Sequence, residues 1–254
     1  MTVDVSVIIM AYNERQSVRS VLEELDQEMA DSGYRHETVV VNDGSTDGTG
    51  DEALAYAKGR AHVRVLSHPT NRGIGEVYRT GFAAATGAYI SFLPADGQFP
   101  ARIIREFVPL MSTHDLVLGF LPNRRSSPIA KMLSRVERLL YRTLFGPLPP
   151  FQGILMFKRG ALESLRVHVG GRGWQMLMDL IVRARHAGYR IVSVPNELRP
   201  RMAGTSKVTN LRHVWANLKQ AVLLRWRLWR EPVPAAAAGR SRAAAQHIPE
   251  TINR

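Results

Sequence analysis

The chain has no cysteine among its 254 residues, which excludes a disulfide framework and a thiolate metal site. It also has no apolar run near the ~20 residues that a membrane span requires. The first four residues carry no basic region, and the apolar run at 5–10 is too short for the core of a secretion signal. The expectation is a cytoplasmic protein. Two phosphate-binding signatures are missing: no Gly-x-Gly-x-x-Gly follows the first predicted strand, and no Gly-Lys-Ser/Thr loop occurs. A dinucleotide-binding Rossmann domain and a P-loop enzyme are thereby disfavoured. Acids are scarce too, with 22 Asp and Glu against 34 Lys and Arg, a net charge of +12. No recognised nucleic-acid motif accompanies that charge. Its distribution is uneven: residues 198–230 hold eight basic residues and no acid. A second cluster, Arg124, Arg125, Lys131, Arg135, Arg138 and Arg142, is interrupted only by Glu137. Both clusters lie beside amphipathic apolar stripes, a pattern suited to an anionic membrane surface rather than a duplex.

What is present is enough apolar content, 45%, for one sizeable core. Short β-branched runs predict strands at 5–10, 38–42, 63–67, 89–93 and 116–120, and helices fall between them at 16–31, 47–58, 75–85 and 100–111. Thr46 or Asp47 is placed to cap the second helix, and Pro100 suits a first helical turn. This alternation predicts an α/β fold with a mostly parallel central sheet and helices on both faces. The second half is less regular: a basic helix at about 128–144, a non-helical Gly146-Pro147-Leu148-Pro149-Pro150, a strand at 154–157, a helix at 174–187 and a strand at 190–194. Residues 208–230 form an amphipathic helix, and 232–254 are Ala/Pro/Arg-rich with the composition of a disordered tail. The expected organisation is a catalytic domain at 1–207, an interfacial helix at 208–231 and a tail at 232–254.

Val39, Val40 and Val41 suit a strand covered on both faces, and they run directly into Asn42-Asp43-Gly44-Ser45-Thr46-Asp47-Gly48-Thr49. A short acid at such a strand end can reach a ligand in the crevice beyond the sheet. An earlier strand ends in the same way at Ala11-Tyr12-Asn13-Glu14. Two such ends side by side make half of a nucleotide pocket. Three further motifs follow: Asn71-Arg72-Gly73, Ala95-Asp96-Gly97-Gln98, and Arg201-Met202-Ala203-Gly204-Thr205-Ser206-Lys207. Taken in this order they resemble glycosyltransferase family 2, the inverting nucleotide-sugar transferases of GT-A fold, and within it the dolichol- or polyprenyl-phosphate sugar synthases.

The resemblance implies a donor site for a UDP- or GDP-linked sugar at Ala11, Tyr12, Asn13, Glu14, Asp43, Asn71, Gly73, Ala95 and Asp96. It implies Mg²⁺ or Mn²⁺ at Asp96, with Gln98 assisting. The first acid of the family's Asp-x-Asp is replaced by Pro94, which removes one hard oxygen ligand. On the residues alone, Asp43 and Ser45 have a turn-forming alternative, Arg72 reads as a solvated loop residue or a diphosphate ligand, and Glu14 as a support for a neighbouring loop.

On the acceptor side, transfer to a hydroxyl needs a general base, whereas a phosphate monoester is already anionic and needs fixed cations instead. The resemblance places Arg124, Arg201, Ser206 and Lys207 at the acceptor phosphate, with Asp96, Arg124, Arg201 and Lys207 carrying catalysis. Leu121 stands where many relatives have an arginine, and Pro150-Phe151-Gln152-Gly153 replaces an acid and a Gln-Cys-Gly-like stretch. Asp179 is the candidate base if the acceptor is a hydroxyl; its alternative is a helix-surface partner for Arg183 at i+4. Leu211, Trp215, Leu218, Val222, Trp226 and Trp229 recur at helical spacing, flanked by basic residues. Such a stripe packs on a domain or lies at a headgroup boundary, and three tryptophans without an acid favour the boundary. The expected partners are thus a nucleotide-diphosphate sugar, a polyprenyl phosphate and the anionic inner face of the cell membrane, with no nucleic acid. A non-catalytic homologue is the remaining alternative.

Overall fold

The computed structural model describes residues 3–122, 139–167, 175–200 and 211–231, with the backbone alone at 211–220. Its elements, in chain order, are β1 (Val5–Ala11), α1 (Val18–Ala30), β2 (His36–Asn42), α2 (Thr49–Ala57), β3 (Val63–Ser67), α3 (Ile74–Ala84), β4 (Tyr89–Pro94), α4 (Arg102–Phe107), β5 (Leu116–Phe120), β6 (Leu155–Lys158), α5 (Gly160–Ser164), α6 (Gln175–His186), β7 (Ile191–Pro195) and α7 (Leu211–Arg230). The strands form one sheet in the order β3-β2-β1-β4-β6-β5-β7.

Side chains alternate across a strand, so each buried strand feeds two cores. Val5, Val7 and Ile9 of β1 join Val40 and Leu93 beneath α1, α2 and α4. Ile8 joins Val39, Val41, Ile90 and Phe92 on the other face, beneath α3 and α6. Helix α3 lies so close to β1 that a Cβ on Gly81 would stand 2.6 Å from Ile8.

The expected alternation is present, and the sheet is largely parallel. One strand breaks it: β6 inserts antiparallel between β4 and β5. Three local expectations are corrected. The helix expected over 100–111 stops at Phe107 and tightens into a 3-10 turn over Val108–Ser112, because Pro109 has no amide to continue the α ladder. The N-cap of α2 is Gly48 at φ 91°, not Thr46 or Asp47. Asp47 instead accepts the amide of Thr49 at 3.0 Å and its hydroxyl at 2.5 Å. Pro100 lies ahead of α4 rather than in its first turn, its carbonyl accepting the Ile103 amide at 3.2 Å.

At the amino edge, the buried Glu37 ties three strands together. It accepts Ser6 Oγ at 2.5 Å, Thr86 N at 2.6 Å, Thr86 Oγ1 at 2.8 Å and Arg64 Nη2 at 2.6 Å. Burial pushes its carboxyl up, but these donors outweigh that and hold it below its ordinary value.

Helix α7 is packed rather than detached. Ala221, Leu224 and Leu228 bury against Phe145, Val182 of α6 and the helical residues 139–145. Val222 and Trp226 are about half exposed and Trp229 is 75% exposed, and the Arg230 guanidinium stacks 4.1 Å over the Trp226 ring. The helix therefore packs through a face that the predicted stripe did not include, and the described part of that stripe, Val222, Trp226 and Trp229, faces out. No described helix is long and apolar enough to cross a membrane.

Candidate active site

Strands β1, β2 and β4 end level with one another: Ala11 pairs with Asn42, and Met10 with Pro94. The loops that follow leave the sheet at one carboxyl edge. Asp43 N donates to Ala11 O at 2.8 Å, Ala95 N to Met10 O at 2.9 Å, and His68 N to Asn42 O at 2.9 Å. The structure thus brings Ala11–Glu14, Asp43, Asn71–Gly73 and Asp96 to one edge.

The first two loops interlock. Asn13, at φ 55°, donates its amide to Ser45 Oγ at 3.0 Å and accepts the Thr46 amide at 3.0 Å. Short polar residues tolerate that left-handed backbone best. Glu14 N donates to Thr49 Oγ1 at 2.8 Å and Arg15 N to Asp47 Oδ2 at 3.1 Å. Burial raises the Asp47 carboxyl, and the bonds from Thr49 and Arg15 more than reverse this, leaving it below the usual range. Tyr12 stands exposed on the rim at 38%.

Asp43, only 3% exposed, acts as a clip for the third loop. Its carboxylate accepts the amides of Arg72 and Gly73, each at 2.9 Å, and meets His68 Nδ1 at 2.7 Å. His68 Nε2 contacts Thr80 Oγ1 at 2.8 Å, so the clip extends into α3. Gly44 is required beside it: its φ is 68°, and a Cβ would lie 2.3 Å from the Thr70 carbonyl carbon. Asp43 thus has the turn-forming role that its residues alone offered, at the edge where the donor motifs meet. The Arg72 side chain is exposed and pairs with Glu76 at 3.2 Å, as a solvated loop residue does.

Asp96 follows β4, is 8% exposed, and its Oδ1 accepts the amide of Gln98 at 3.1 Å. Gly97 makes the turn at φ 70°. The carbonyl of Gln98 accepts the amide of Arg199 at 2.8 Å, and the Arg199 guanidinium holds Glu24 at 2.9 Å. The segment after β7 is thus fastened beside the Asp96 loop. Its other end is equally fixed: Asn196 N donates to Phe120 O at 2.7 Å, and a Cβ on Gly119 would meet Asn196 Nδ2 at 1.9 Å. Gln152 N donates to Gly119 O at 2.7 Å, and Gly153, at φ 114°, lies against the Phe99 ring.

The donor set at this loop is hard oxygen, a carboxylate with an amide side chain two residues on. That set fits Mg²⁺ or Mn²⁺, which take few protein oxygens and complete their shells with water and substrate phosphate. The acid oriented by the Gln98 amide is Asp96, to which the family resemblance assigns the ion.

The glycosyl transferase family 2 model matches residues 6–165. This chain belongs to that family. Among curated relatives, the dolichol-phosphate mannosyltransferase of Saccharomyces cerevisiae is 24% identical over 220 residues, 82% of each chain. The dolichyl-phosphate beta-glucosyltransferase of Drosophila melanogaster is 42% identical over 108 residues, 39% of this chain and 33% of that one. The dolichol-phosphate mannosyltransferase of Pyrococcus furiosus is 25% identical over 232 residues, 85% of this chain and 64% of that one. Among solved structures, glucosyl-3-phosphoglycerate synthase from Mycobacterium tuberculosis, in complex with Mn²⁺, UDP and glucosyl-3-phosphoglycerate, aligns at a TM-score of 0.63 and 24% identity. That alignment covers 91% of this chain and 81% of the synthase, and it shows the fold, GT-A.

In this family 2 glycosyltransferase, Arg124, Arg201, Ser206 and Lys207 lie outside the described residues, as do the tail and most of the basic 128–144 segment. Asp179 is 2% exposed, and its Oδ1 accepts Arg183 Nε at 2.6 Å. The i+4 pair is there but buried, not on the helix surface. His68 and Thr80 were not anticipated. The available signal was position: His68 directly follows β3 and precedes the Asn71–Gly73 motif.

Proposed function

We propose that this glycosyltransferase moves one sugar from a UDP- or GDP-linked donor onto a polyprenyl phosphate at a membrane surface, with inversion at the anomeric carbon. The observation that carries the proposal is the likeness, along most of the chain, to transferases named for dolichol phosphate, together with an edge where the donor motifs converge. The donor's nucleotide would lie along Ala11–Glu14, Asp43 and the Asn71–Gly73 loop. Asp96 and Gln98 would hold Mg²⁺ or Mn²⁺. When bound, such an ion supplies Lewis-acid stabilisation of the departing diphosphate.

An acceptor phosphate oxygen forms the new bond to the anomeric carbon as the bond to the nucleoside diphosphate breaks on the opposite face. The attacking oxygen is already anionic, so no proton has to be removed. The chain's contribution is orientation and charge balance, which we assign to Arg124, Arg201, Ser206 and Lys207. The hydroxyl-acceptor reading would draw on Asp179, whose carboxylate is buried with Arg183; that burial favours the phosphate acceptor. Helix α7 would seat the enzyme on the anionic cytoplasmic leaflet through Val222, Trp226 and Trp229, with Arg225, Arg227 and Arg230 at the headgroups.

The test is transfer by purified protein from a panel of UDP- and GDP-sugars to short-chain prenyl phosphates, with Mg²⁺ or Mn²⁺. Product on the prenyl phosphate, and none on the corresponding prenol, is expected. Transfer to hydroxyl acceptors alone would reject the reading.

A further inference from the structure

We propose that Asp26, His36 and His62 form a second metal site, for a borderline transition ion such as Zn²⁺, at the edge of the sheet opposite the donor pocket. Asp26 lies on α1, His36 opens β2, and His62 directly precedes β3. His36 is separated from Asn42 by the full length of β2, roughly 20 Å at the usual strand rise. The site is therefore remote from Asp43 and Asp96 and takes no part in the donor motifs.

The case rests on donor type, spacing and surroundings together. His36 Nε2 is 3.3 Å from Asp26 Oδ1, and His62 Nε2 is 3.1 Å from the same oxygen. All three ligand atoms lie within 4.8 Å of one another. A tetrahedral ion with bonds of ~2.0–2.1 Å separates its ligands by about 3.3 Å, so the two measured spacings are already close to edges of that polyhedron. Two imidazoles with one carboxylate are the donor set of zinc sites that leave a fourth position to water. Mg²⁺ prefers oxygen and would not select it.

The surroundings are those of a supported ligand. The other carboxylate oxygen of Asp26 accepts Tyr56 OH at 2.6 Å, which fixes the plane of the group, and Tyr56 itself is buried. Such outer-shell bonds orient metal ligands. The Arg60 guanidinium, over the Tyr56 ring at 4.2 Å, has its Nε 3.9 Å from Asp26 Oδ2, the oxygen that His36 and His62 do not contact. The His62 side chain is 37% exposed and gives an ion access from solvent. On binding, each neutral imidazole would carry its proton on Nδ1 and offer the Nε2 lone pair. The two contacts to Asp26 Oδ1 are exchanged for three bonds to one ion, fastening α1 to β2 and β3.

The experiment uses the full chain, freed of metal and then held in excess Mg²⁺ to occupy the oxygen site. Zn²⁺ is titrated by calorimetry, and Co²⁺ by its visible absorption. One equivalent of Zn²⁺ should bind and raise the melting temperature. His62→Gln, which keeps a donor toward Asp26, should lower the affinity at least ~10-fold, Tyr56→Phe about 10-fold, and Asp96→Ala not at all. X-ray absorption on the wild-type zinc complex should show two imidazoles and one carboxylate, a readout independent of any variant's folding. The proposal is overturned if the wild type binds no stoichiometric Zn²⁺, if His62→Gln binds as tightly, or if the absorption spectrum lacks imidazole.

Discussion

At the amino edge of the sheet, acids are met mainly by side chains; at the carboxyl edge, backbone amides take the larger share, with His68 beside them at Asp43. Glu37 is held by Ser6, Arg64 and both donors of Thr86, and Asp26 by His36, His62 and Tyr56. Asp43 accepts the amides of Arg72 and Gly73, and Asp96 that of Gln98. Side chains bonded to side chains fasten one element to another. A carboxylate bonded to amides of an adjoining loop sets the path of that loop, and the loop's outer surface can still receive a substrate. The same residue types thus join elements at one edge and shape loops at the other.

The sharpest break of this contrast is Asp96→Ala, which should cut kcat by about 100–1000-fold while leaving urea stability nearly unchanged. Unaltered turnover would separate Asp96 from the reaction. Asp43→Ala strikes both loop path and ligand, because the Arg72 and Gly73 amides and His68 lose their acceptor. It should cost about 3 kcal/mol in denaturant unfolding and weaken nucleoside diphosphate binding in calorimetry. Glu37→Gln is the control on the opposite edge: about 2 kcal/mol less stable, with kcat and KM as in the wild type. A drop in kcat there would erase the division.

Asp26 sharpens the comparison through pH. Its folded value, about 2, lies below the ordinary 3.8, so the unfolded chain binds that proton more readily. Its contribution, roughly 2 kcal/mol, is full above the unfolded value and is lost as pH falls through about 2. The stability gap between wild type and Asp26→Asn in urea should therefore be widest near neutrality and close at low pH. A gap that stayed constant would contradict the shift. The smallest expected effect belongs to α7. Trp226→Ala and Trp229→Ala should each reduce binding to anionic vesicles about 10-fold, near the worth of one exposed aromatic, and leave the melting temperature almost unmoved.

Much of this was legible in the sequence. Runs such as Val39–Val41 announce strands buried on both faces, and the loops after them declare the carboxyl edge because a βαβ chain returns there each time. What could not be read was whatever depends on pairing distant segments. The antiparallel insertion of β6 has no local signature, since a four-residue apolar run looks the same in either direction. Asp26, His36 and His62 are spread over 37 residues, on a helix, a strand and a loop, and only the fold converges them. Apolar spacing alone extends α4 to residue 111, whereas Pro109 ends its α ladder at Phe107. In α7 the spacing of the tryptophans draws a single stripe, whereas Leu224 and Leu228 face the protein and Trp226 and Trp229 face out.

The Asp43 clip has a calorimetric consequence. Since the Arg72 and Gly73 amides are tied down within the fold itself, capture of the proposed nucleotide need not freeze a wandering segment, and little further apolar surface has to be hidden. Association should then proceed at an almost temperature-independent enthalpy, the thermodynamic mark of a berth prepared in advance.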